Sequence, residues 1–533
     1  MLPYIDIPFI YLADVLGTSK DDLKVIVSFV LSYPFAGLLK RIPDSKPYQK
    51  NLFIIAVSVF YLIGLFDLWA GTRTLLISAG GTYLIAAKIQ GPFMPWIGFV
   101  FVMAHMSINH IYRLYEEPGS WDISGAQMVM VMKLTAFCWN VHDGRLPQKD
   151  LSEFQRERAL PTLPSLLDYA GYIFFFPSLF AGPAFDYVEY RRWIETSMFE
   201  VPAGTDPTKR PPTRKKRKIP RSGTPAAWKA AAGFFWIFAF LKFSGWYSNE
   251  LLLGSQYMKY GFLRRVWVLY MLGFAARLKY YGVWSLTEGA CILSGIGYKG
   301  IDPKTGRVHW NRLQNVNPWG LETAQNTRAY LENWNMNTNH WLRNYMYLRV
   351  TPKGKKPGFR ASMATFVTSA FWHGVYPGYY LAFVLASFLQ TVAKNFRRHV
   401  RPFFLTADGT SPTPYKKYYD IASLVTTQLA FSFTAAPFVL LSLHDSLLVW
   451  SRVYFYCIVG VVASVTFFAS PGKAWLVEEL QRRHKVALVR NSSQENLTGP
   501  MMGLPNDPGE EVSEIVREVK SEMETRRRRS LKG

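Results

Sequence analysis

Cysteine is scarce in this sequence, with 3 residues among 533. Cys138, Cys291 and Cys457 are scattered, odd in number, and lie in or beside apolar stretches. They therefore offer neither a disulfide framework nor the spacing of a metal site. We expect three buried thiols and no bound metal.

Charged residues are also few, at 18% of the chain, whereas apolar residues make up 49% and aromatic residues 16%. A soluble chain of this length would contain several domains, but this composition indicates a membrane protein. Long apolar windows recur, each close to the ~20 residues that cross a ~30 Å hydrocarbon core. The clearest windows are residues 52–70, 228–247, 422–443 and 447–470.

Short segments of alternating hydrophobicity, which a membrane β-barrel requires, are not the pattern here, because the apolar windows are continuous. The sequence therefore predicts an all-α, polytopic membrane protein with about ten or eleven transmembrane helices. Residues 1–16 carry Asp6 and no basic residue before their apolar stretch, so they do not resemble a cleaved secretory signal.

Acidic residues are outnumbered, 37 against 61 Lys and Arg, which gives a net charge of +24. A nucleic-acid partner is one explanation of such a charge. Much of it flanks hydrophobic segments, however, and cytoplasmic positive charge beside membrane spans explains it more simply. Residues 209–221 and the arginines at 526–529 should then face the cytoplasm. We expect no nucleic-acid partner.

The predicted organisation has three parts. Residues 1–24 form an N-terminal segment, residues 25–470 form the membrane domain, and residues 471–533 form a cytoplasmic, partly disordered tail. A basic cytoplasmic linker at 201–223 divides the membrane domain, and a long polar stretch at 297–360 interrupts its second half. No internal repeat of the kind found in many secondary transporters is visible.

One histidine, His373, stands between apolar runs that read as membrane-embedded. A histidine on an apolar face is often a satisfied structural residue, but an ionisable group at that depth is costly and indicates function. Trp372 and the tyrosines that follow build an aromatic wall around it. Gly374 and Gly378 flank Tyr376 and allow a ligand or another helix to approach closely.

Asparagines are concentrated in residues 333–339, just before a run of aromatic residues. Trp334, Trp341, Tyr345 and Leu348 are spaced to share one helix face, which is more typical of packing than of catalysis. The asparagine amides bury poorly and favour helices weakly, so they indicate a polar pocket or a cap.

The basic loop 349–360 leads directly into the histidine segment. It reads either as a solvated positive-inside loop or as a cytoplasmic mouth that attracts the phosphates of CoA. Glu288 lies in an apolar segment, where we expect it to line a cavity or to pair with Arg277 or Lys279. His105 reads as structural.

With these motifs in view, the chain resembles the membrane-bound O-acyltransferase family, and within it the fungal broad-specificity lysophospholipid acyltransferases. The resemblance covers residues 31–470. It rests on the combination of residues 39–43, 132–135, 181–187, 279–281, 288–293, 334–339 and 369–374. It implies bent helices that enclose a tunnel, in which a histidine and an asparagine meet. By position these are His373 and Asn335, although Asn337 and Asn339 lie within a small shift of register.

The implied reaction moves a fatty acyl chain from acyl-CoA to the free hydroxyl, mainly sn-2, of a lysophospholipid, with no cofactor. His373 would act as general base, and Asn335 would orient a group or donate to the oxyanion. A covalent cysteine route, a sterol, diacylglycerol or protein acceptor, and a transporter remain alternatives. The family implies the endoplasmic reticulum membrane, and the oligomeric state stays open. The candidate substrate-binding residues are Trp334, Asn337, Asn339, Trp341, Arg343, Arg349, Lys353, Lys355, Lys356, Trp372, Tyr376 and Glu288.

Overall fold

The computed structural model describes residues 4–16, 19–115, 122–202, 205–352, 358–406 and 409–494. Over these ranges the chain forms 22 α-helices, several short 3₁₀ or π-helical turns, and one antiparallel pair of strands. The pair joins Gly300–Ile301 (β1) to Val308–His309 (β2). The predicted all-α class is confirmed.

The helices of the N-terminal half begin with a short surface helix and continue through longer ones. They are α1 (Asp6–Leu16), α2 (Lys20–Leu39), α3 (Pro47–Val59), α4 (Trp69–Lys88), α5 (Met94–Tyr112), α6 (Ser124–Gly144), α7 (Glu153–Arg158), α8 (Leu166–Ile173) and α9 (Tyr187–Ile194). A π-helical turn, Phe60–Leu65, extends α3.

The C-terminal half contains the longest helix and the polar interruption. Its helices are α10 (Gly223–Trp246), α11 (Asn249–Leu253), α12 (Ser255–Met258), α13 (Phe262–Ser294), α14 (Pro318–Glu322), α15 (Thr327–Glu332), α16 (Met336–Leu342), α17 (Phe359–His373), α18 (Pro377–His399), α19 (Lys416–Leu440), α20 (Leu443–Arg452), α21 (Tyr456–Ala469) and α22 (Pro471–Gln494). A π-helical turn, Arg343–Tyr347, follows α16.

Four stretches of the described chain are long and apolar enough to cross a bilayer: Lys20–Leu39, Pro47–Leu65, Gly223–Leu253 and Lys416–Leu440. A fifth is formed if α20 and α21, which meet at a bend of 81°, count as one broken span. Large side chains of α10 such as Phe235, Phe238 and Leu241 are exposed, as expected of a surface that faces lipid. The protein is a multi-pass membrane protein, and the number of ten or eleven spans stays a prediction.

Helix α6 lies at the centre of the fold. It is buried nearly all round, which is typical of a helix enclosed by others. Its Lys133 donates to the carbonyl oxygens of Tyr172 and Ile173 at 2.5 and 3.4 Å, so it fixes the C-terminal end of α8. The three cysteines are free and buried, as predicted.

Helices α17, α18 and α19 run alternately up and down. Near the start of α17, Ser362 donates to the amide oxygen of Gln390 in the second half of α18, at 2.9 Å. At the opposite end, the backbone N–H of Gly378 donates to the carbonyl oxygen of Leu441 at 2.8 Å. The end of α18 and the start of α19 therefore lie on the side of the bundle where α17 begins.

The basic linker is folded against the first loop of the membrane domain. Lys40 donates to Ser222 at 2.8 Å, and Arg217 donates to the carbonyl oxygen of Arg41 at 2.7 Å. The backbone N–H of Lys218 donates to Asp44 at 2.9 Å. These bonds fix the position at which α10 starts.

Candidate active site

His373 is the last residue of α17. The helix stops there because Gly374 adopts φ +137°, a backbone conformation that residues with a side chain rarely accept. The imidazole is enclosed by rings from three helices. Centroid distances to these rings are 4.6 Å for Trp372, 5.6 Å for Tyr379, 5.1 Å for Phe383 and 4.9 Å for Phe438.

The imidazole of His373 is half-buried and forms no hydrogen bond with the described part of the chain. The neighbouring histidines of α5 differ, because His105 bonds to Ser78 at 2.9 Å and His110 bonds to a backbone carbonyl. A ring nitrogen of His373 is thus available to a bound molecule. The bond from His105 to Ser78 agrees with the structural role predicted for this histidine.

The end of α17 is held by two hydrogen bonds from neighbouring helices. The carbonyl oxygen of Trp372 lies 3.2 Å from Nε2 of His110, and the indole N–H of Trp372 donates to the carbonyl oxygen of Met128 at 3.0 Å. Trp372 is buried. It therefore fixes His373 from the backbone side, and His110 is a positioning residue that the sequence motifs did not indicate.

Gly378, near the start of α18, allows two helices to approach closely. A Cβ atom on Gly378 would lie 2.1 Å from the carbonyl oxygen of Pro437 in α19. The sequence left open whether a ligand or another helix approaches this glycine, and in the structure helix α19 does. It brings Phe438 of α19 into contact with His373.

Asn335 stands immediately before α16 in the left-handed conformation, with φ 41° and ψ 54°. Asparagine tolerates this region better than other residues that carry a side chain. Its backbone carbonyl accepts from Asn339 at 2.9 Å. Its side-chain amide forms no hydrogen bond with any described residue and does not cap the helix.

The amides of Asn337 and Asn339 are engaged in holding the loop. Asn337 donates to the side-chain oxygen of Asn315 at 3.0 Å and lies 3.3 Å from the carbonyl oxygen of Gln314. Asn339 donates to the carbonyl oxygen of Leu331 at 3.0 Å. Among the three candidates for the family's asparagine, the amide of Asn335 is the one left for a ligand.

Trp334 does not share a helix face with Trp341, so that prediction is wrong. The left-handed residue Asn335 separates Trp334 from α16 and turns it towards α13. There its ring lies 5.5 Å from Tyr280 and 5.0 Å from Trp284. Trp341 is buried against α6 instead.

One face of α6 contacts both motifs. The carbonyl oxygen of Met128 accepts from Trp372, and Thr135 accepts from the indole N–H of Trp341 at 2.8 Å. Met132 lies between them, with its sulfur 3.3 Å from the hydroxyl of a threonine in α16. These positions are spaced four and three residues apart, so they share a face. The rings of Trp341 and Trp372 are 5.9 Å apart.

Aromatic side chains pack beside both motifs. The ring of Trp334 lies 5.5 Å from that of Tyr280, and the ring of Tyr379 lies 5.6 Å from that of His373. No hydrogen bond joins Asn335 to His373 directly in the described chain. Their meeting inside a tunnel stays a prediction.

Glu288 pairs with a residue that the sequence did not indicate. It is buried, and one of its oxygens lies 2.9 Å from Nζ of Lys229 on α10. The predicted pairing with Arg277 or Lys279 is wrong, because Arg277 lies about three turns before Glu288 on α13 and forms two bonds, of 2.8 and 2.9 Å, with Glu322. Glu288 therefore links α13 to α10.

Of the two arginines predicted near the site, one is held in an ion pair and the other is not. Arg349 forms a two-pronged ion pair with Asp143, at 2.9 and 2.5 Å, and covers the ring of Trp139 at 4.2 Å. Arg343 is exposed and has no ion pair in the described chain. Three further predicted residues lie outside the described ranges: Lys353, Lys355 and Lys356.

A small polar cavity of about 90 Å³ lies beside α16 and is lined by Asn337 and Trp341, among others. Asp186 at its wall accepts from Arg158 at 2.8 Å. Burial and the neighbouring carboxylate of Glu189 raise the pKa of Asp186 to about 6, against the opposing effect of Arg158. The cavity can hold water or a polar part of a ligand.

A larger apolar cavity of about 770 Å³ is lined by residues that follow His373 in the chain, although not by His373 itself. Val375 and Pro377 line it together with side chains of α18, α20 and α21 such as Leu385 and Val461. It has the size and lining of a site for an apolar ligand. Tyr376, a predicted substrate-binding residue, stands between Val375 and Pro377 and is half-buried.

The described chain thus combines, in a multi-pass membrane protein, an imidazole at His373 and a side-chain amide at Asn335 that form no hydrogen bond with its other residues. A model of the membrane-bound O-acyltransferase family matches residues 108–436, which include α6 and α13 to α18. The chain therefore belongs to the membrane-bound O-acyltransferase family.

Individual members of the family are similar over most of their length. The lysophospholipid acyltransferase of Schizosaccharomyces pombe is 45% identical over 479 residues, which cover 90% of this chain and 92% of that protein. The protein of the same name from Saccharomyces cerevisiae is 43% identical over 465 residues, covering 86% and 75%. Membrane-bound glycerophospholipid O-acyltransferase 1 of Mus musculus is 30% identical over 461 residues, covering 84% and 89%.

Proposed function

We propose that the protein is a lysophospholipid acyltransferase that moves a fatty acyl chain from acyl-CoA to the free hydroxyl, mainly sn-2, of a lysophospholipid. The names of its similar relatives support the lysophospholipid acceptor. The observation that carries the mechanism is the half-buried imidazole of His373, which has no hydrogen-bond partner in the described chain and lies in an aromatic enclosure.

In the proposed reaction, an unprotonated nitrogen of His373 takes the proton of the acceptor hydroxyl as its oxygen attacks the thioester carbon. The carbon–sulfur bond then breaks, and the CoA sulfur leaves with the proton that His373 received. General-base catalysis of this kind contributes about 10²–10⁴-fold. The enclosing rings exclude water, which would otherwise compete for the acyl group.

The amide of Asn335 is assigned to the developing oxyanion or to the orientation of a substrate. Its N–H groups are not used by the protein, and the left-handed backbone fixes the direction of the side chain. An oriented donor of this kind is worth roughly 10²–10³-fold in acyl-transfer enzymes. The hydrogen bonds of Asn337 and Asn339 keep the loop in place.

Both substrates carry an apolar chain, and the cavity of about 770 Å³, which Val375 and Pro377 of the segment after His373 help to line, provides apolar space. We assign it to a fatty acyl chain. Bringing donor and acceptor together at one histidine supplies catalysis by proximity and needs no covalent intermediate. The cysteine route has little support, since Cys138 and Cys291 are completely buried.

For the phosphates of CoA, Arg343 is a better candidate than Arg349. The guanidinium of Arg343 is exposed and unpaired in the described chain, whereas Arg349 is held by Asp143. An arginine that is free to form two parallel bonds suits a phosphate. Lys353, Lys355 and Lys356, which lie outside the described ranges, stay candidates for the same role.

Other parts of the proposal concern place and alternatives. We propose the endoplasmic reticulum membrane, with the linker and the tail in the cytoplasm, where acyl-CoA is available. A sterol, diacylglycerol or protein acceptor is the nearest alternative, because the shape of the cavity decides acceptor choice. A transporter is less well supported, because the chain belongs to an acyltransferase family.

The test is an acceptor panel with purified protein and oleoyl-CoA. The panel contains lysophosphatidylcholine, lysophosphatidylethanolamine, lysophosphatidylserine, lysophosphatidic acid, diacylglycerol and a sterol, and product and free CoA thiol are both measured. We expect equal release of CoA and formation of diacyl phospholipid with at least one lysophospholipid. Acylation of diacylglycerol or sterol alone would exclude the acceptor class, and the absence of product with every acceptor would exclude the reaction.

A further inference from the structure

A second large cavity, of about 760 Å³, lies away from His373 between α18, α19 and α21. Leu389 and Val392 of α18, Leu429 of α19 and Val461 of α21 form its apolar part. Its volume falls in the range of about 300–1,000 Å³ that is typical of ligand sites. His373 and Asn335 do not line it, and of its lining residues only Val461 also lines the cavity of about 770 Å³ assigned to the acyl chain.

Positive side chains line one end of this cavity. Arg397 at the end of α18, Arg401 just beyond it and Lys416 at the start of α19 are among the lining residues. Lys416 forms an ion pair with Asp420. Neither Arg397 nor Arg401 has an ion pair or hydrogen bond with the described part of the chain. The mouth therefore presents two free guanidinium groups.

Hydroxyl groups follow along the wall formed by α19. Ser423, Thr426 and Thr427 line the cavity and share a face of the helix. At 1.5 Å per residue, Ser423 lies about 10 Å and Thr427 about 16 Å beyond Lys416. A serine or threonine in a helix often bonds to the carbonyl four residues earlier, but these three form no hydrogen bond in the described chain. They are available to the oxygens of a ligand.

The order from mouth to interior is thus cationic, hydroxylated and apolar. We propose that this cavity binds one phospholipid of the surrounding membrane, which is not a substrate. Its phosphate lies between Arg397 and Arg401, its ester oxygens face the hydroxyl groups of α19, and an acyl chain fills the apolar end. A soluble phosphate would leave the apolar part of the cavity unfilled. A sterol would leave the two arginines without an anionic partner.

The side on which the cavity opens agrees with this occupant. The α17–α18 hairpin returns the end of α18 to the side where α17 begins, as the bond from Ser362 to Gln390 requires. That is the side of the basic loop 349–360, which is predicted to be cytoplasmic. The cytoplasmic leaflet carries the anionic phospholipids of a membrane.

The test counts retained lipid by native mass spectrometry on full-length protein released from phosphatidylcholine nanodiscs that contain phosphatidylinositol. One variant, R397Q/R401Q, removes the two guanidinium groups. Its control, K394Q/K417Q, removes the same charge from one residue of α18 and one of α19 that do not line the cavity. A second variant, Gly460→Leu, fills the cavity, because a Cβ at this lining position meets no atom within 4 Å. Its control is Gly245→Leu in α10, where a Cβ also meets open space.

We expect wild type and both controls to retain one phospholipid. R397Q/R401Q should reduce retention at least about tenfold, since each charge-assisted bond contributes about that factor, and Gly460→Leu should abolish it. Equal retention in all five proteins would overturn the proposal. So would displacement by inorganic phosphate alone, which marks a plain anion site, or by oleoyl-CoA, which assigns the cavity to the donor. Binding is measured without turnover, so the result does not depend on the proposed reaction.

Discussion

Replacement of Thr135 by valine tests whether α6 holds the two motifs in register. The hydroxyl of Thr135 accepts from the indole N–H of Trp341 at 2.8 Å, and both residues are buried. Valine has a similar shape, so the change leaves little cavity and removes the acceptor. An indole N–H left without a partner in a buried position costs about 1–3 kcal/mol. That free energy weakens the docking of α16 onto α6.

A loss of about 1–3 kcal/mol changes the ratio of docked to undocked α16 by about 5-fold to 150-fold. Because Asn335 stands at the start of α16, we expect kcat to fall by up to that factor. The KM values for the acyl donor and the acceptor should change less than kcat. The assay is product formation by purified protein, together with the midpoint of thermal unfolding.

Two further variants separate this effect from a general loss of packing. Thr135→Ser keeps the acceptor and should retain activity near the wild-type value. Thr391→Val removes a hydroxyl in α18 that donates to the carbonyl oxygen of Ser387 in the same helix, at 3.2 Å, and should have little effect. If Thr135→Val were as active as Thr391→Val, the role assigned to α6 would be refuted.

Three other substitutions test separate parts of the site. Asn335→Gly accepts the left-handed backbone and removes only the amide, so kcat should fall roughly 10²–10³-fold, and activity near the wild-type value would show that the amide is not needed. Arg343→Gln should raise the KM for acyl-CoA roughly tenfold with kcat little changed. Arg349→Gln should mainly lower thermal stability, because it leaves the buried carboxylate of Asp143 without its ion pair. The opposite pattern would reverse the roles of the two arginines. Glu288→Leu should lower the midpoint of thermal unfolding more than the double variant Glu288→Leu/Lys229→Leu does. The single change leaves the ammonium group of Lys229 unpaired in an apolar region. Equal unfolding midpoints would show that the pair contributes nothing.

The parts of the fold that composition determines were predictable. Continuous apolar windows indicated membrane helices, and the exposed aromatic side chains of α10 agree with them. The scattered cysteines indicated buried thiols, which the structure confirms. The spacing of Gly378 indicated a close approach, which α19 makes. Each of these depends on local chemistry that the sequence displays directly.

Features that depend on a single backbone angle were not predictable. A regular helix through residues 334–348 would place Trp334 and Trp341 on one face. The left-handed conformation of Asn335 breaks that helix and sends the two rings to different partners. Asparagine is among the residues that accept this conformation, but the sequence does not show which of several asparagines adopts it.

Contacts between distant helices were not predictable either. Glu288 pairs with Lys229, which is 59 residues away, because α10 and α13 pack with these positions facing each other. The sequence of α6 does not indicate that the face with Met128 and Thr135 contacts the two motifs. It is buried nearly all round, so its sequence lacks the polar and apolar stripes that mark an orientation.

The central claim is that His373 performs the acyl transfer, and turnover of His373→Ala tests it most directly. The variant is purified beside wild type and beside His105→Ala, whose ring bonds to Ser78 and has a structural role. Each is supplied with oleoyl-CoA and the preferred lysophospholipid, and insertion is checked by its elution as a single detergent-soluble species. We expect His373→Ala to lose about 10²–10⁴-fold in kcat while it inserts normally and His105→Ala remains active. Turnover of His373→Ala close to the wild-type rate would contradict the account.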